Sequence, residues 1–179
     1  MPRFPPRIIR VVDYDPSWPA RFDAEAAVLY RTLGHVAHAI HHIGSTAVPG
    51  LAAKPIIDIL MEAADLSQVD ALNERMVGIG YIARGEYGIP GRRYFQKGGE
   101  DRTHHLHVFA RGDFNLVRHL AFRDYLRGHP EVAHEYGELK RAVAKTCEND
   151  IERYCDGKDA YVKRVEAIAV REKSPPNKI

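Results

Sequence analysis

The chain has 179 residues, which is enough for one domain with a sizeable core and too few for two comfortable ones. Hydrophobic residues make up 45% and charged residues 28%, as is typical of a soluble globular domain. The formal net charge of +2 argues neither for nor against a polyanionic partner, and the sequence carries no specific nucleic-acid signal.

Targeting and redox signals are also weak. The first six residues lack the apolar core of a signal peptide, and no run approaches the roughly 18 apolar residues of a membrane span. Cys147 and Cys155 lack the spacing of a zinc or redox motif, so we expect free thiols. These features predict a cytoplasmic protein with no membrane partner, and they leave the oligomeric state open.

The first half of the chain alternates between helix and strand patterns. Apolar residues recur at helical spacing in two stretches, each ended by a glycine, and predict amphipathic helices over 20–33 and 66–79. Apolar runs predict strands over 36–43 and 55–61, the second so continuously apolar that it belongs inside a sheet. A β-branched run over 7–12 predicts an edge strand or an arm laid on the body.

The second half changes from strands to helices. Strands are predicted over 81–86, 92–97 and 103–109, the last two joined by a hairpin. Three helices follow, beginning after Asp113, near Glu131, and at Asp156 or Gly157.

These patterns together predict a domain organisation. They indicate an α/β core over 1–112 and a helical part over 113–173 packed on it, followed by a frayed tail over 174–179. The whole forms one structural domain.

A loop between the two early strands carries the clearest chemistry. Gly44 lets the backbone turn sharply and approach a ligand, while Ser45 and Thr46 supply hydroxyls and amides that suit a phosphate. The next apolar run, over 55–61, carries one carboxylate, Asp58. Asp58 could hold a divalent cation that neutralises the same phosphates. The pattern predicts a site for a metal-bound nucleotide.

Two other phosphate-binding motifs are excluded. A P-loop needs Gly-Lys-Ser/Thr at the start of a helix, whereas Lys54 precedes Pro55 and a strand. Lys54 remains a candidate phosphate contact, with a solvated loop lysine as the alternative. A histidine-triad hydrolase would need a third alternating histidine, but that position is Phe109.

A histidine-rich strand supplies further candidate ligands. His105 and His107 share one face, and His104 lies on the other. Two imidazoles at this spacing can grip a Zn, Mn or Fe ion, and Asp58 would complete three ligands with an open position. His107 is also a candidate catalytic group beside Asp58.

Basic residues flank the hairpin ahead of that strand. Arg93 and Lys97 share one strand face and could hold a triphosphate if the hairpin borders the Gly44 loop. The alternative is a solvated charged face.

Five stretches resemble one known family, the GrpB family of the nucleotidyltransferase superfamily. They are IGSTAVPGL at 43–51, AKPIIDI at 53–59, RTHHLHV at 102–108, HLAFRDYL at 119–126 and YCDGKD at 154–159. The resemblance implies a nucleotidyltransferase-like fold of the α/β (α+β) class, with a mixed β-sheet flanked by helices and a C-terminal helical part. It also implies a nucleoside triphosphate bound with a divalent metal, Mg before Mn or Zn, and transfer of a nucleotidyl group to a small-molecule or protein acceptor.

One position departs from the superfamily pattern. Its members usually carry a second acid two residues after the first, but here that residue is Leu60. Glu62 shares the strand face yet would lie roughly 13 Å from Asp58, too far to share an ion. The alternative function is therefore a catalytically inactive nucleotide- or metal-binding accessory module of the same fold.

Overall fold

A mixed five-stranded sheet forms the centre of the protein, in a computed structural model that describes residues 8–173. The spatial order is β1-β2-β5-β4-β3, with β2 and β5 parallel and the other neighbours antiparallel. The strands are β1 (Ala37–Ile43), β2 (Ile57–Ala63), β3 (Tyr81–Ala83), β4 (Arg93–Lys97) and β5 (His104–Ala110). This arrangement confirms the predicted mixed α/β (α+β) sheet.

Six helices accompany the sheet in the described part of the chain. They are α1 (Trp18–Leu33), α2 (Leu66–Ala71), α3 (Asn73–Gly78), α4 (Phe114–Gly128), α5 (Pro130–Thr146) and α6 (Ile151–Lys173). Residues of α1, α2 and α3 form the main core with one sheet face. Helix α4 covers the other face, and α5 and α6 pack against it and against the loop after β1. Within residues 8–173, no helix combines the length and apolar character needed to cross a membrane.

The alternation of side chains along β2 determines which chemistry faces which layer. Ile57, Ile59 and Met61 are fully buried in the core with α1–α3. Asp58 and Leu60 therefore point to the opposite face, where Leu60 packs with Leu116 of α4. Strand β2 thus presents Asp58 toward the C-terminal helices.

Most predicted elements are present, with shifts at their ends. The expected helix over 66–79 is two helices, because Leu72 leaves helical geometry at φ −99° and ψ 10°. The expected strand or arm over 7–12 is represented by an isolated bridge between Val12 and Ala53, while residue 7 lies outside the described residues. The predicted tail over 174–179 also lies outside them.

The predicted start of the last helix was wrong. Helix α6 begins at Ile151, where the Asp150 carboxylate accepts hydrogen bonds from the amides of Glu152 and Arg153 at 2.8 and 3.2 Å. Gly157 is an interior residue whose missing side chain lets α5 approach. A Cβ built on Gly157 would lie 2.7 Å from Val143 Cγ1.

The position of this cap can be tested with two substitutions. Asp150→Ala removes the carboxylate that satisfies the first amides of α6 and should lower the free energy of unfolding by about 1 kcal/mol. Asp156→Ala lies inside the helix on an exposed side and should change it by less than about 0.5 kcal/mol. Urea denaturation of both variants measures the difference, and the reverse order would place the cap at Asp156.

Candidate functional site

The turn after β1 lies directly on the Asp58 carboxylate. In the β1–β2 register Ile43 is opposite Asp58, so Gly44 emerges beside that side chain. Gly44 adopts φ +71°, and a Cβ built there would be 2.6 Å from Asp58 Oδ2. Glycine is therefore required twice, by its backbone angle and by the space that the carboxylate occupies.

Asp58 is ionised and held by two histidines of β5. His105 Nδ1 lies 3.1 Å from Asp58 Oδ1, and His107 Nε2 lies 4.0 Å from the same oxygen. Burial alone would raise the pKa of Asp58, but hydrogen bonding and charge interactions with His105 and His107 outweigh it and lower this pKa well below its usual value. With 31% of its side chain exposed, the carboxylate remains open to a ligand.

The contacts of His107 make it a link between charged groups rather than a free base. Its Nδ1 lies 3.4 Å from Arg92 Nη1, and a guanidinium only donates, so Nδ1 accepts and Nε2 carries the proton toward Asp58. Burial lowers the pKa of His107, with Asp58 opposing the shift, which favours this neutral form. The predicted catalytic role of His107 remains a prediction.

A buried lysine closes the other side of the loop. Lys140 of α5 is only 2% exposed, and its Nζ donates to Ser45 Oγ at 2.6 Å while lying 4.5 Å from the centre of the Tyr136 ring. In the described part of the chain, no carboxylate oxygen lies within ion-pair distance of this ammonium. Burial, reinforced by the nearby Lys158, lowers the pKa of Lys140 to about 7.

Two other predicted phosphate contacts have different surroundings. The Thr46 hydroxyl is buried and hydrogen-bonds His42 Nε2 at 2.9 Å, so its side chain supports the turn. Lys54 Nζ lies 5.0 Å from the centre of the Tyr154 ring. Lys54 also lines a cavity of about 620 Å³ at the start of β2 and β5, and its charge reaches Lys140.

Arg93 and Lys97 do not join the site, which corrects the expectation that their hairpin borders the Gly44 loop. In the β4–β5 register they pair with Val108 and His104, whose side chains point to the α1–α3 face. Arg93 forms an ion pair with Asp70 at 2.7 Å, and Lys97 forms one with Glu25 at 2.8 Å. His104 lies on that same face, as expected from its alternation with His105.

The three predicted metal ligands are neighbours, but they are not arranged as a preformed metal site. Within residues 8–173, no group of three or more His, Cys, Asp or Glu side chains is positioned to hold an ion. The Nδ1 atom of His105 hydrogen-bonds the Asp58 carboxylate, and the Nδ1 atom of His107 contacts the cationic guanidinium of Arg92. A single carboxylate fits Mg²⁺ that arrives with phosphate oxygens and water, because Mg²⁺ is commonly bound in that way.

Several contributors to the site were not identified from the sequence. Lys140 had a detectable signal, because it continues the buried stripe of α5 after Ala133, Tyr136 and Gly137. A lysine at a core position of an amphipathic helix marks a buried charge that needs a partner. Arg92 and Tyr94, which contact His107, had no such signal, because Arg92 directly precedes an ordinary strand and Tyr94 lies within it.

Comparisons with known proteins identify the family of the chain. The profile of the GrpB protein family matches residues 8–167. The protein YqkA of Bacillus subtilis is 45% identical over 174 residues, covering 97% of this chain and 51% of its own length. The chain therefore spans about half the length of that relative.

Two solved structures resemble the chain, one in both sequence and fold and the other in fold alone. The crystal structure of GrpB from Enterococcus faecalis superposes with a TM-score of 0.88 at 42% identity, covering 91% of this chain and 98% of that one. The structure of Cid1 in complex with its short product ApU superposes with a TM-score of 0.51 at 10% identity, covering 73% and 42%. At that identity, the likeness to Cid1 shows a common nucleotidyltransferase-like fold alone.

The contact between Gly44 and Asp58 is testable with a matched pair of variants. Gly50 has a similar backbone angle, φ +79°, with nothing within 4 Å of a built Cβ, so Gly50→Ala should cost only the backbone strain of about 1 kcal/mol. Gly44→Ala adds a collision with the carboxylate and should cost more, about 2 kcal/mol or above. Chemical denaturation gives both values, and equal costs would show that the close approach is absent.

Proposed function

The chain belongs to the GrpB family, and we propose that it binds a nucleoside triphosphate with a divalent cation at the Gly44 loop and transfers the nucleotidyl group to an acceptor. The nucleotidyltransferase-like fold supports this class of chemistry. The acceptor is a small molecule or a protein carrying a nucleophilic oxygen or nitrogen.

The observation that carries the proposal is the buried side chain of Lys140, which donates to Ser45 and forms no ion pair with a carboxylate within residues 8–173. Burying a charged group without an ion-pair partner is costly. A buried lysine of this kind is therefore typical of a site where a bound anion supplies the opposite charge. Lys140 contacts Ser45, the residue that follows Gly44, and the Gly44 backbone lies against the Asp58 carboxylate. A phosphate chain next to Ser45 would bring negative charge to the lysine and present other oxygens to a cation on Asp58.

In this proposal, different residues bind the phosphates and the cation of the nucleotide. Lys140, the Ser45 hydroxyl and the first amides of the 45–47 turn, which have no acceptor within the turn, hold the terminal phosphates. Asp58 holds the divalent cation, which when bound neutralises phosphate charge. Arg92 and His107 fix the side of the carboxylate that faces away from the loop.

The transfer step balances without a further co-reactant. The acceptor atom attacks the α-phosphorus, a new bond forms there, and the bond from the α-phosphorus to the bridging oxygen breaks. Pyrophosphate leaves, and the acceptor proton passes to solvent or to a neighbouring base. His105 Nε2 is buried, has no hydrogen-bond partner among the described residues, and is one imidazole nitrogen beside Asp58 with an unused lone pair.

A second candidate function is a nucleotide-binding module without transfer activity. It is favoured by the residues that stand where a second acid would be. Leu60 is fully buried in an apolar cluster, and Glu62 lies 3.0 Å from His41 through its Oε1. Neither offers a second carboxylate to a cation at Asp58.

Calorimetric titration with ATP, GTP, CTP and UTP tests binding. Each nucleotide is added with Mg²⁺, Mn²⁺ or Zn²⁺ and again with EDTA. We expect metal-dependent binding that Lys140→Met weakens at least tenfold and Asp58→Asn makes independent of metal. Lys145→Met, an exposed position on the same helix, is the matched control and should bind like the wild type.

The outcomes distinguish three cases, which are nucleotidyl transfer, binding without transfer, and neither function. Binding followed by pyrophosphate release with an added acceptor pool supports transfer, whereas binding without release supports the module. No binding with any metal, or equal affinity in Lys140→Met and Lys145→Met, would contradict both. Lys140→Met should still fold, with a free energy of unfolding within about 1 kcal/mol of the wild type, because it removes a buried charge together with one hydrogen bond.

Proton linkage gives a further prediction. Lys140 has a pKa of about 7 in the free protein, and a bound phosphate favours its charged form and raises that pKa. Above about pH 7 the complex therefore holds more protons than the free protein, so binding takes up protons and the affinity falls as the pH rises.

Titrations at about pH 8 in two buffers of different ionisation enthalpy measure this uptake. We expect uptake approaching one proton in the wild type and none at this site in Lys140→Met. The same uptake in both proteins would remove Lys140 from the linkage.

A further inference from the structure

An exposed tyrosine stands at the edge of the site in a conformation that costs energy. Tyr87 lies in the loop over 84–92 between β3 and β4, and it is 61% exposed. Its φ of +46° belongs to the left-handed region, where Asn or Gly would be less strained than a bulky ring. Neither core packing nor backbone preference accounts for a tyrosine at this position.

Hydrogen bonds from Arg92 and Gly91 and the packing of Ile89 hold the 84–92 loop in place. Arg92 is buried and donates through Nη2 to the Tyr87 carbonyl at 2.6 Å and through Nε to the Glu86 carbonyl at 3.0 Å. Gly91 N donates to Glu86 Oε1 at 2.8 Å, and Ile89 packs in the apolar cluster with Leu60. The same guanidinium contacts His107, so the loop and the Asp58 centre share one anchor.

One face of the Tyr87 ring is covered by a stacked aromatic group. Tyr94 lies beneath it, with ring centroids 5.1 Å apart and planes at 23°. Tyr94 is buried, has the Arg92 guanidinium 4.8 Å from its centre, and contacts His107 at a centroid distance of 5.1 Å. Tyr87 is thus the outermost ring of a series of contacts in which Tyr87 stacks on Tyr94, Tyr94 contacts His107, and His107 lies beside Asp58.

We propose that Tyr87 is the stacking platform for a planar heteroaromatic base carried by a ligand of the Asp58 centre. Base–aromatic stacking needs a ring with an open face and a fixed orientation, and Tyr87 has both. This inference rests on the proposed nucleotide function and adds the subsite that recognises the base.

The order of the contacts supports this placement. Lys140 and Ser45 lie on one side of Asp58, and His107, Tyr94 and Tyr87 follow one another on the other side. A triphosphate held at Lys140 places its reacting phosphorus at Asp58, so what lies beyond is the base of the nucleotide itself or the base of an acceptor.

Three variants test the platform by calorimetry. Tyr87→Asn keeps a residue that tolerates the backbone angle and removes the ring, while Tyr87→Phe keeps the ring and serves as the matched control. Tyr87→Ala repeats the loss of the ring without an added amide. Each is titrated with Mg·ATP and with Mg·tripolyphosphate, which has no base. A second series adds adenosine, or ribose as a base-free probe, to protein saturated with Mg·tripolyphosphate.

The two sources of the base give different results. If the base belongs to the nucleotide, Tyr87→Asn and Tyr87→Ala bind Mg·ATP at least about tenfold more weakly, with tripolyphosphate unchanged. If it belongs to the acceptor, both variants bind Mg·ATP normally but lose adenosine binding, and ribose does not bind. In either case Tyr87→Phe retains binding.

Two further results overturn the inference and are distinguishable. If the wild type binds tripolyphosphate and ATP while all three variants match it for ATP and adenosine, the platform is absent and the phosphate site stands. If the wild type binds neither tripolyphosphate nor ATP, the proposed nucleotide function fails and the platform fails with it.

Discussion

The close approach of the Gly44 backbone to the Asp58 carboxylate is the contact on which the site depends. It joins the end of β1 to the start of β2, and it exists only because the register pairs Ile43 with Asp58 and Gly44 has no side chain. The carboxylate is thereby fixed beside the turn that carries Ser45, the residue contacted by Lys140.

The charges around the pair are unbalanced in a way that a bound anion would correct. Asp58 is flanked by the imidazoles of β5, and two basic side chains lie on either side, Lys140 at the loop and Arg92 beside His107. Both of these basic side chains are buried, and neither forms an ion pair with a carboxylate in residues 8–173. A phosphate chain with its cation would supply negative charge to the lysine and positive charge to the carboxylate.

The parts of this arrangement that follow from local sequence were predictable. The Gly-Ser turn and Asp58, in the apolar strand that follows it, are close in the chain, and strand periodicity places His105 and His107 on one face. Arg93 and Lys97 were correctly assigned to a common face, but period-two alternation does not say which side of a sheet that face covers. The register between β4 and β5, a long-range property, turns them toward α1–α3.

Other features needed the folded chain for a related reason. The last helix was predicted to begin at Asp156 or Gly157, whereas Gly157 lies inside the helix and permits the contact between α5 and α6. Lys140 became a site residue only once α5 was packed against Ser45, 95 positions away in the sequence. The strain at Tyr87 is a backbone property that residue types alone do not reveal.

The most direct test of the central claim is a crystal structure with Mg²⁺ and a non-hydrolysable nucleoside triphosphate. The account predicts a phosphate oxygen within hydrogen-bond distance of Lys140 Nζ and Ser45 Oγ, with the cation bound to Asp58. A triphosphate bound elsewhere, for instance in the cavity beside Lys54 with Lys140 and Asp58 untouched, would contradict it.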